Sequence, residues 1–149
     1  MAVAGAGLVW TREQANATFP KSTDTTSELI FMSTTRLAQM IREKKVSSVE
    51  VLRALLAQIE RVNPKLNAVV QFCTERAMAE ARQADALLAK GTVKGPLHGV
   101  PMTIKDSFDT AGVISTGGTL GRKDHVPAAD ATVVARVRAA GAILMGKTN

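Results

Sequence analysis

Two lysines of this 149-residue chain adjoin apolar segments, where an ammonium group is costly to desolvate. Burial favours the neutral amine of a lysine, and a neutral amine beside hydroxyl groups can act as a general base. If the apolar run that ends at Lys105 is a strand, Lys105 shares one face with Thr103 and Ser107. Asp106 then points to the opposite face. A desolvated base is therefore one interpretation of Lys105, but the pattern alone favours a strand-end lysine that reaches solvent; for the second lysine, Lys147, it favours a structural role.

The other chemically capable residues give weaker signals. His98 and His125 have the type needed for a Ser-His-Asp arrangement, but nothing places either beside a serine, so ordinary loop positions are favoured. The glycine-rich residues 117–121 resemble a phosphate-cradling loop, but they lack the Lys-Ser/Thr pair of a P-loop and are interpreted mainly as a turn. The single cysteine, Cys73, cannot form an internal disulfide and is interpreted as a small buried hydrophobe. No Cys/His cluster has metal-ligand spacing, so the residues indicate no metal site.

The elements that position these residues are predicted from hydrophobic periodicity, which is helical in the first half of the chain. Ser33 or Thr34 can cap a first helix with apolar residues three and four apart. Ser47 and Glu50 have the spacing of a capping box that opens a second helix. This second helix is predicted to stop at Asn63-Pro64, because proline lacks the N–H that helix continuation needs.

The pattern then changes from helices to strands. A third helix is predicted from about residue 71 to residue 90, with the small residues Ala77, Ala81 and Ala84 and with Leu88 on one side. Residues 100–105 and 142–145 have the character of short strands. Between the strands, a helix begins at Asp130 or Thr132. Strand, loop, helix and strand form a βαβ-like unit, which predicts an α/β fold: N-terminal helices followed by the start of a mixed, mostly parallel sheet covered by helices. Two strands are too few for such a sheet, so we expect more sequence to follow in the natural protein.

Composition and charge exclude several classes of protein. Hydrophobic residues make up 46% and charged residues 21%, which is ordinary globular usage rather than that of a disordered or fibrous chain. No run approaches the roughly 18–20 apolar residues of a membrane-spanning helix. The net charge is +6, and eleven of the nineteen Lys and Arg residues are dispersed over residues 32–94. With aromatics at only 3% and no nucleic-acid-binding motif, these charges are interpreted as solvated helix faces rather than a nucleic-acid site.

The first 31 residues differ from the rest and are interpreted as an N-terminal extension. Residues 2–10 are apolar and Ala15-Asn16-Ala17 has the form of a signal-peptidase site, but no Lys or Arg precedes the apolar run. A flexible extension is favoured, with a truncated export signal in residues 1–17 as the alternative. A cytoplasmic location is favoured accordingly, with export to the periplasm as the alternative.

Several ordered motifs in residues 32–149 resemble the amidase signature family. The segment Pro96-Leu97-His98-Gly99-Val100-Pro101-Met102-Thr103-Ile104-Lys105-Asp106 is similar to the lysine-bearing segment of that family. Asp130-Ala131-Thr132-Val133-Val134, Ala140-Gly141-Ala142 and Gly146-Lys147-Thr148-Asn149 follow in the family's order. Residues 46–69 resemble its N-terminal helices. Agreement of several motifs in order is more specific than any one of them.

The resemblance implies hydrolysis of a small-molecule carboxylic amide by a Ser–cis-Ser–Lys triad, without metal or organic cofactor. Lys105 matches the family lysine and would take a proton through the bridging serine, so that the nucleophilic serine attacks and forms an acyl-enzyme. The family's Gly-Gly-Ser-Ser-Gly loop and later nucleophilic serine do not occur in these residues, and neither Ser107 nor Ser115 matches those positions. We therefore interpret residues 32–149 as the N-terminal part of an amidase signature domain.

Two other functions remain open at this point. Within the family, the protein could belong to an amidotransferase and generate ammonia for a partner enzyme, and a need for a nucleotide and for the partner would distinguish this function. From a different class, the chain could be a non-catalytic basic helical module that binds an acidic partner with steep salt dependence. Self-association of the complete protein is also left open.

The missing serines lead to a first prediction. The purified 149-residue chain is expected to show no steady amide turnover, because it lacks both the nucleophile and the bridging serine of the resembled triad. Ammonia release from primary amides measures this directly. Steady turnover by the purified chain that disappears in Lys105→Ala would contradict the expectation.

Overall fold

A computed structural model describes residues 25–149 of the chain, with side-chain burial described from residue 28 onward. Its elements are α1 (Thr25–Ile30), α2 (Thr34–Arg42), α3 (Ser48–Leu66), β1 (Val69–Phe72), α4 (Thr74–Ala89), β2 (Pro101–Lys105), a single-turn 3-10 helix (Leu120–Arg122), α5 (Thr132–Ala139) and β3 (Ile143–Thr148). The export signal considered for residues 1–17 lies outside the described residues.

The predicted caps of α2 and α3 are confirmed. Ser33 is the N-cap of α2, and its hydroxyl accepts a hydrogen bond from the backbone N–H of Arg36 at 3.3 Å. At α3, the Ser47 hydroxyl accepts from the Glu50 N–H at 3.1 Å, and the Glu50 carboxylate accepts from the Ser47 N–H at 2.8 Å. Each reciprocal bond satisfies a backbone donor that helix geometry leaves unpaired.

A second carboxylate at the start of α3 comes from a different helix. Asp85 of α4 accepts hydrogen bonds from the backbone N–H groups of Ser48 at 2.7 Å and Val49 at 3.2 Å. A negative charge is favourable at a helix N-terminus, where the backbone dipoles leave partial positive charge. Asp85 therefore ties α4 to α3 as well as capping it.

The predicted end of α3 is wrong by three residues. The helix continues through Pro64 to Leu66 and ends at Asn67, which is left-handed with φ of 48°. Pro64 lies in the last turn, so its missing N–H removes only one hydrogen bond at an end that already frays. The amide side chain of Asn63 bonds both backbone groups of Val69, each at 2.9 Å, and so directs the chain into β1.

The predicted third helix begins too early. Residues 69–72 form strand β1, and α4 begins only at Thr74. The run Val69-Val70-Gln71-Phe72 is β-branched and aromatic, and it pairs with β3, so long-range pairing overrides the helical pattern that follows it. The small-residue face of α4 is as predicted, because its alanines at 77, 81 and 84 are buried.

The sheet is mixed, with strand order β1-β3-β2. The central strand β3 pairs parallel to β2 and antiparallel to β1. The parallel pair is joined by a crossover that contains α5, so the predicted α/β class and βαβ-like unit are confirmed. The predicted cap of α5 is wrong: its N-cap is Ala131 without a side-chain bond, and the Asp130 carboxylate instead accepts from the Ala111 N–H at 2.8 Å.

Among residues 28–149, whose burial is described, three apolar clusters hold these elements together. The first joins α1, α2 and α3, the second joins α3 and α4 to β3, and the third lies among β2, β3 and α5. Leu29 of α1 is buried in the first cluster, although the sequence pattern placed residues 1–31 in an extension. The boundary at residue 31 stays a prediction. Within residues 25–149, no helix combines the length and the apolar character that crossing a membrane would require.

The interhelical cap gives a prediction about stability. Asp85→Ala is expected to lower the free energy of unfolding by about 1–2 kcal/mol, because it removes two hydrogen bonds and a charge from the N-terminus of α3. Chemical denaturation of both proteins measures the change. Gln83→Ala, an exposed position on the same helix, is the matched control. An Asp85→Ala protein as stable as this control would contradict the capping role.

Candidate functional site

Lys105 lies at the carboxyl end of β2, on the rim of a cavity of about 280 Å³. The cavity is lined by Val70, Gln71, Lys105, Asp106, Ser107, Thr116, Gly117, Gly118 and Asn149. It therefore opens at the edge where the parallel strands β2 and β3 end, which is the edge where open α/β sheets bind ligands. In the part of the chain that the structure describes, Lys105 is exposed to solvent.

Lys147 has the opposite environment. It lies in the central strand β3 and is completely buried. Its Nζ donates hydrogen bonds to the carbonyl oxygen of Phe108 at 2.7 Å, to Thr110 Oγ1 at 3.1 Å and to Ser115 Oγ at 2.7 Å. The loop after β2 is thus fastened to β3 at three points.

The hydrogen bonds around Lys147 bear on its charge state. Thr110 Oγ1 donates to the carbonyl of Phe108 at 3.2 Å, and Ser115 Oγ donates to the carbonyl of Val113 at 3.1 Å. Each hydroxyl has one hydrogen, so neither can also donate to the lysine. With both hydroxyl hydrogens on these carbonyls, Nζ donates all three of its bonds, an arrangement that suits an ammonium group. Burial lowers the pKa of Lys147 below its ordinary 10.5, and the negative charges of Asp106 and Asp109 partly oppose this shift.

The glycine-rich loop encloses a carboxylate of its own chain. The Asp106 carboxylate is buried and accepts hydrogen bonds from the backbone N–H of Thr116 at 3.0 Å and from the Thr116 hydroxyl. The same hydroxyl accepts from the Gly118 N–H at 3.0 Å, and Gly117 and Gly118 both have positive φ. Backbone N–H groups turned inward in this way form an anion-binding concavity. The resemblance of residues 117–121 to an anion-cradling loop therefore has a structural basis, and the anion is Asp106.

The pKa of Asp106 is below its ordinary 3.8. Burial raises it, but the hydrogen bonds from the Thr116 side chain and backbone, the charge of Lys147 and the Gly117 N–H outweigh burial. The ionised carboxylate is therefore the form that this loop conformation stabilises.

The remaining candidates have structural surroundings. His98 is buried in a loop, where Nδ1 accepts from the Lys94 N–H at 3.0 Å and Nε2 lies 3.1 Å from the carbonyl of Ala84. His125 Nε2 lies 3.7 Å from an Asp109 oxygen. Cys73 is buried, as predicted, and burial raises the pKa of its thiol. Residues 25–149 contain no cluster of three or more His, Cys, Asp or Glu that could hold a metal ion.

The environment considered for Lys105 is found at Lys147 instead. Burial among hydroxyl groups was one interpretation of Lys105, but Lys105 is exposed and Thr103 is only half-buried, which agrees with the alternative of a strand-end lysine that reaches solvent. Lys105 is the last residue of an outer strand, whereas Lys147 lies in the central strand beneath the loop. The Asp106–Thr116 contact was not predicted; adjacent glycines after a threonine are its only local signal.

Comparisons with known proteins agree with one another. A family model described as Amidase matches residues 50–149. A glutamyl-tRNA(Gln) amidotransferase chain of Carboxydothermus hydrogenoformans is 40% identical over 122 residues, which cover 82% of this chain and 25% of that protein. Fatty-acid amide hydrolase 2 of Homo sapiens is 39% identical over 131 residues, covering 83% of this chain and 25% of that protein. The native peptide amidase from Stenotrophomonas maltophilia has a TM-score of 0.72 at 32% identity, over 80% of this chain and 25% of that structure.

The chain thus spans about a quarter of the length of the curated relatives it matches. The solved peptide amidase shares the mixed α/β arrangement of helices and sheet described above.

The depressed pKa of Asp106 gives a pH-dependent prediction. A carboxylate with a lowered folded-state pKa adds stability above its unfolded pKa, and this contribution is lost as the pH falls through 3.8 and below. Asp106→Asn is therefore expected to lose about 1–3 kcal/mol of unfolding free energy at pH 7, and the difference from wild type should shrink at pH 3.

Urea denaturation at both pH values measures this difference. Asp124→Asn is the control, because it removes a carboxylate whose side chain is 84% exposed. A difference between wild type and Asp106→Asn that is the same at pH 7 and pH 3 would show that the carboxylate charge does not hold the loop.

Proposed function

Because this chain belongs to the amidase family, we propose that the protein hydrolyses a carboxylic amide to an acid and ammonia or an amine, with Lys105 as its general base. The family membership that the sequence motifs predicted is thereby confirmed. Two of the relatives, the peptide amidase and the fatty-acid amide hydrolase, have names that refer to the hydrolysis of amides. The base, the reaction path and the substrate are our proposal.

One contrast carries the proposal: of the two candidate lysines, Lys105 alone lines an open cavity at the carboxyl edge of the parallel strands. Lys147 is completely buried and its Nζ bonds three groups of the loop, so it does not line this cavity. Lys105 is the one whose amine can approach a substrate.

In the proposed reaction, the neutral amine of Lys105 accepts a proton relayed by a bridging serine from the nucleophilic serine. The nucleophile attacks the amide carbonyl and forms a tetrahedral intermediate, whose oxyanion backbone N–H groups stabilise. Collapse breaks the C–N bond, and the leaving amine takes the proton from the lysine. Water then hydrolyses the acyl-enzyme with the same base. Both serines would be supplied by the complete protein, together with the covering that desolvates Lys105.

Ammonia supply to a partner enzyme is a second candidate function. It is favoured by the 40% identity to a protein that is named as part of a glutamyl-tRNA(Gln) amidotransferase. The same base and acyl-enzyme chemistry would release ammonia from an amide donor in both cases. Ammonia release that requires ATP and a partner protein would favour this candidate, whereas release by the protein alone would favour the simple hydrolase.

Substitution of the proposed base tests the function. Lys105→Ala in the complete protein is expected to lower kcat by about 10²–10⁴-fold, the usual contribution of a general base, while the circular dichroism spectrum and the melting temperature stay near wild type. Steady-state ammonia release measures turnover. Lys123→Ala is the matched control, because the Lys123 side chain is 73% exposed and should be neutral. Near-normal turnover by Lys105→Ala would reject Lys105 as the base.

A further inference from the structure

One wall of the cavity is a turn, closed by a hydrogen bond from the Thr119 N–H to the Thr116 carbonyl at 3.2 Å. Thr116, Gly117 and Gly118 line the cavity together with Lys105. Gly117 and Gly118 have φ of 59° and 76°, and neither would meet a neighbouring atom if it carried a side chain. Packing therefore does not define the conformation of this segment, so polar contacts have to define it.

Asp106, which also lines the cavity, provides polar contacts to this turn. Its backbone N–H donates to the carbonyl of Thr148 at 2.7 Å, so its position is set by the central strand β3. Its carboxylate accepts both the N–H and the hydroxyl hydrogen of Thr116, and the Thr116 hydroxyl in turn accepts from Gly118. The chain of bonds runs from the sheet through Asp106 to the cavity wall.

The segment before Thr116 is anchored separately. Lys147 holds Phe108, Thr110 and Ser115 from below, and Ser115 is directly followed by Thr116. Two opposite charges, one at the end of β2 and one in β3, therefore fix the two parts of the loop. Removing Asp106 would release the cavity wall while the buried part stays in place.

We propose that Asp106 is a positioning residue that shapes the substrate cavity beside Lys105 by holding Thr116 and Gly118 in the cavity wall. In this role Asp106 acts through its hydrogen bonds to the loop. The inference rests on the proposed amidase function, because it concerns the binding of the amide in the cavity that Lys105 lines. The substrate-facing surface in this proposal is formed by residues 116–118, whose own side chains carry no charge.

The expected kinetic signature distinguishes positioning from folding. A merely structural loss lowers the fraction of folded enzyme, which lowers the apparent kcat and leaves KM unchanged. A displaced cavity wall weakens substrate contacts, so KM rises while the reacting groups stay in place. Asp106→Asn is expected to raise KM by about tenfold, with kcat within about threefold of wild type.

The experiment uses the complete protein and whichever primary amide the wild type hydrolyses fastest in a panel that includes benzamide and glutamine. Asp106→Asn, Thr116→Val and Thr116→Ser are compared with wild type, and Asp124→Asn is the control for loss of an exposed carboxylate. Valine matches threonine in shape but lacks the hydroxyl, whereas serine retains it. KM should rise in Asp106→Asn and Thr116→Val, and it should be lower in Thr116→Ser than in these two variants. Amide hydrogen exchange at positions 116 and 118 should be faster in Asp106→Asn and Thr116→Val than in wild type.

The outcomes separate this inference from the proposed function. If Lys105→Ala is inactive but KM is unchanged in Asp106→Asn, the positioning role is overturned and the amidase proposal stands. If KM rises equally in Thr116→Val and Thr116→Ser, the hydroxyl link is overturned. If Lys105→Ala keeps wild-type turnover, the proposed base is wrong, and faster exchange at Thr116 and Gly118 in Asp106→Asn still decides whether Asp106 holds the wall.

Discussion

The site depends on the hydrogen bonds of the buried Lys147 side chain. A lysine in the central strand of a sheet is costly unless its charge is compensated, and the backbone carbonyl of Phe108 and the hydroxyls of Thr110 and Ser115 compensate it. Because these acceptors lie in the long connection after β2, the same bonds that satisfy the charge also fold that connection over the sheet. A loop of this length without such an anchor would retain most of its conformational entropy.

The two candidate lysines have different roles at this site. Lys147 uses all three of its hydrogens on protein acceptors, so it organises the site, whereas Lys105 stays open to the cavity at the carboxyl edge of β2 and β3. Asp106 connects the sheet to the cavity wall: its backbone N–H donates to the sheet and its carboxylate accepts a hydrogen bond from Thr116. The sheet therefore positions the proposed base and the proposed substrate surface by separate contacts.

Local signals in the sequence predicted the features that depend on neighbouring residues alone. The capping box at Ser47 and Glu50 and the small-residue face of α4 are of this kind. Features that depend on distant partners were missed: β1 exists because it pairs with β3, and Asp130 leaves the cap of α5 to bond Ala111. For the same reason, the buried environment among hydroxyl groups that was considered for Lys105 occurs at Lys147. Strand order decides which lysine is central, and no local pattern encodes strand order.

The charge state of Lys147 is the most direct test of this account. In the complete protein labelled with ¹⁵N-lysine, Lys147→Met assigns the side-chain resonance of Lys147 by its disappearance. The account predicts an ammonium-type Nζ resonance at neutral pH whose hydrogens exchange slowly with water, because all three are bonded to protein acceptors. A neutral-amine resonance at Lys147, or hydrogens that exchange as rapidly as those of exposed lysines, would contradict it.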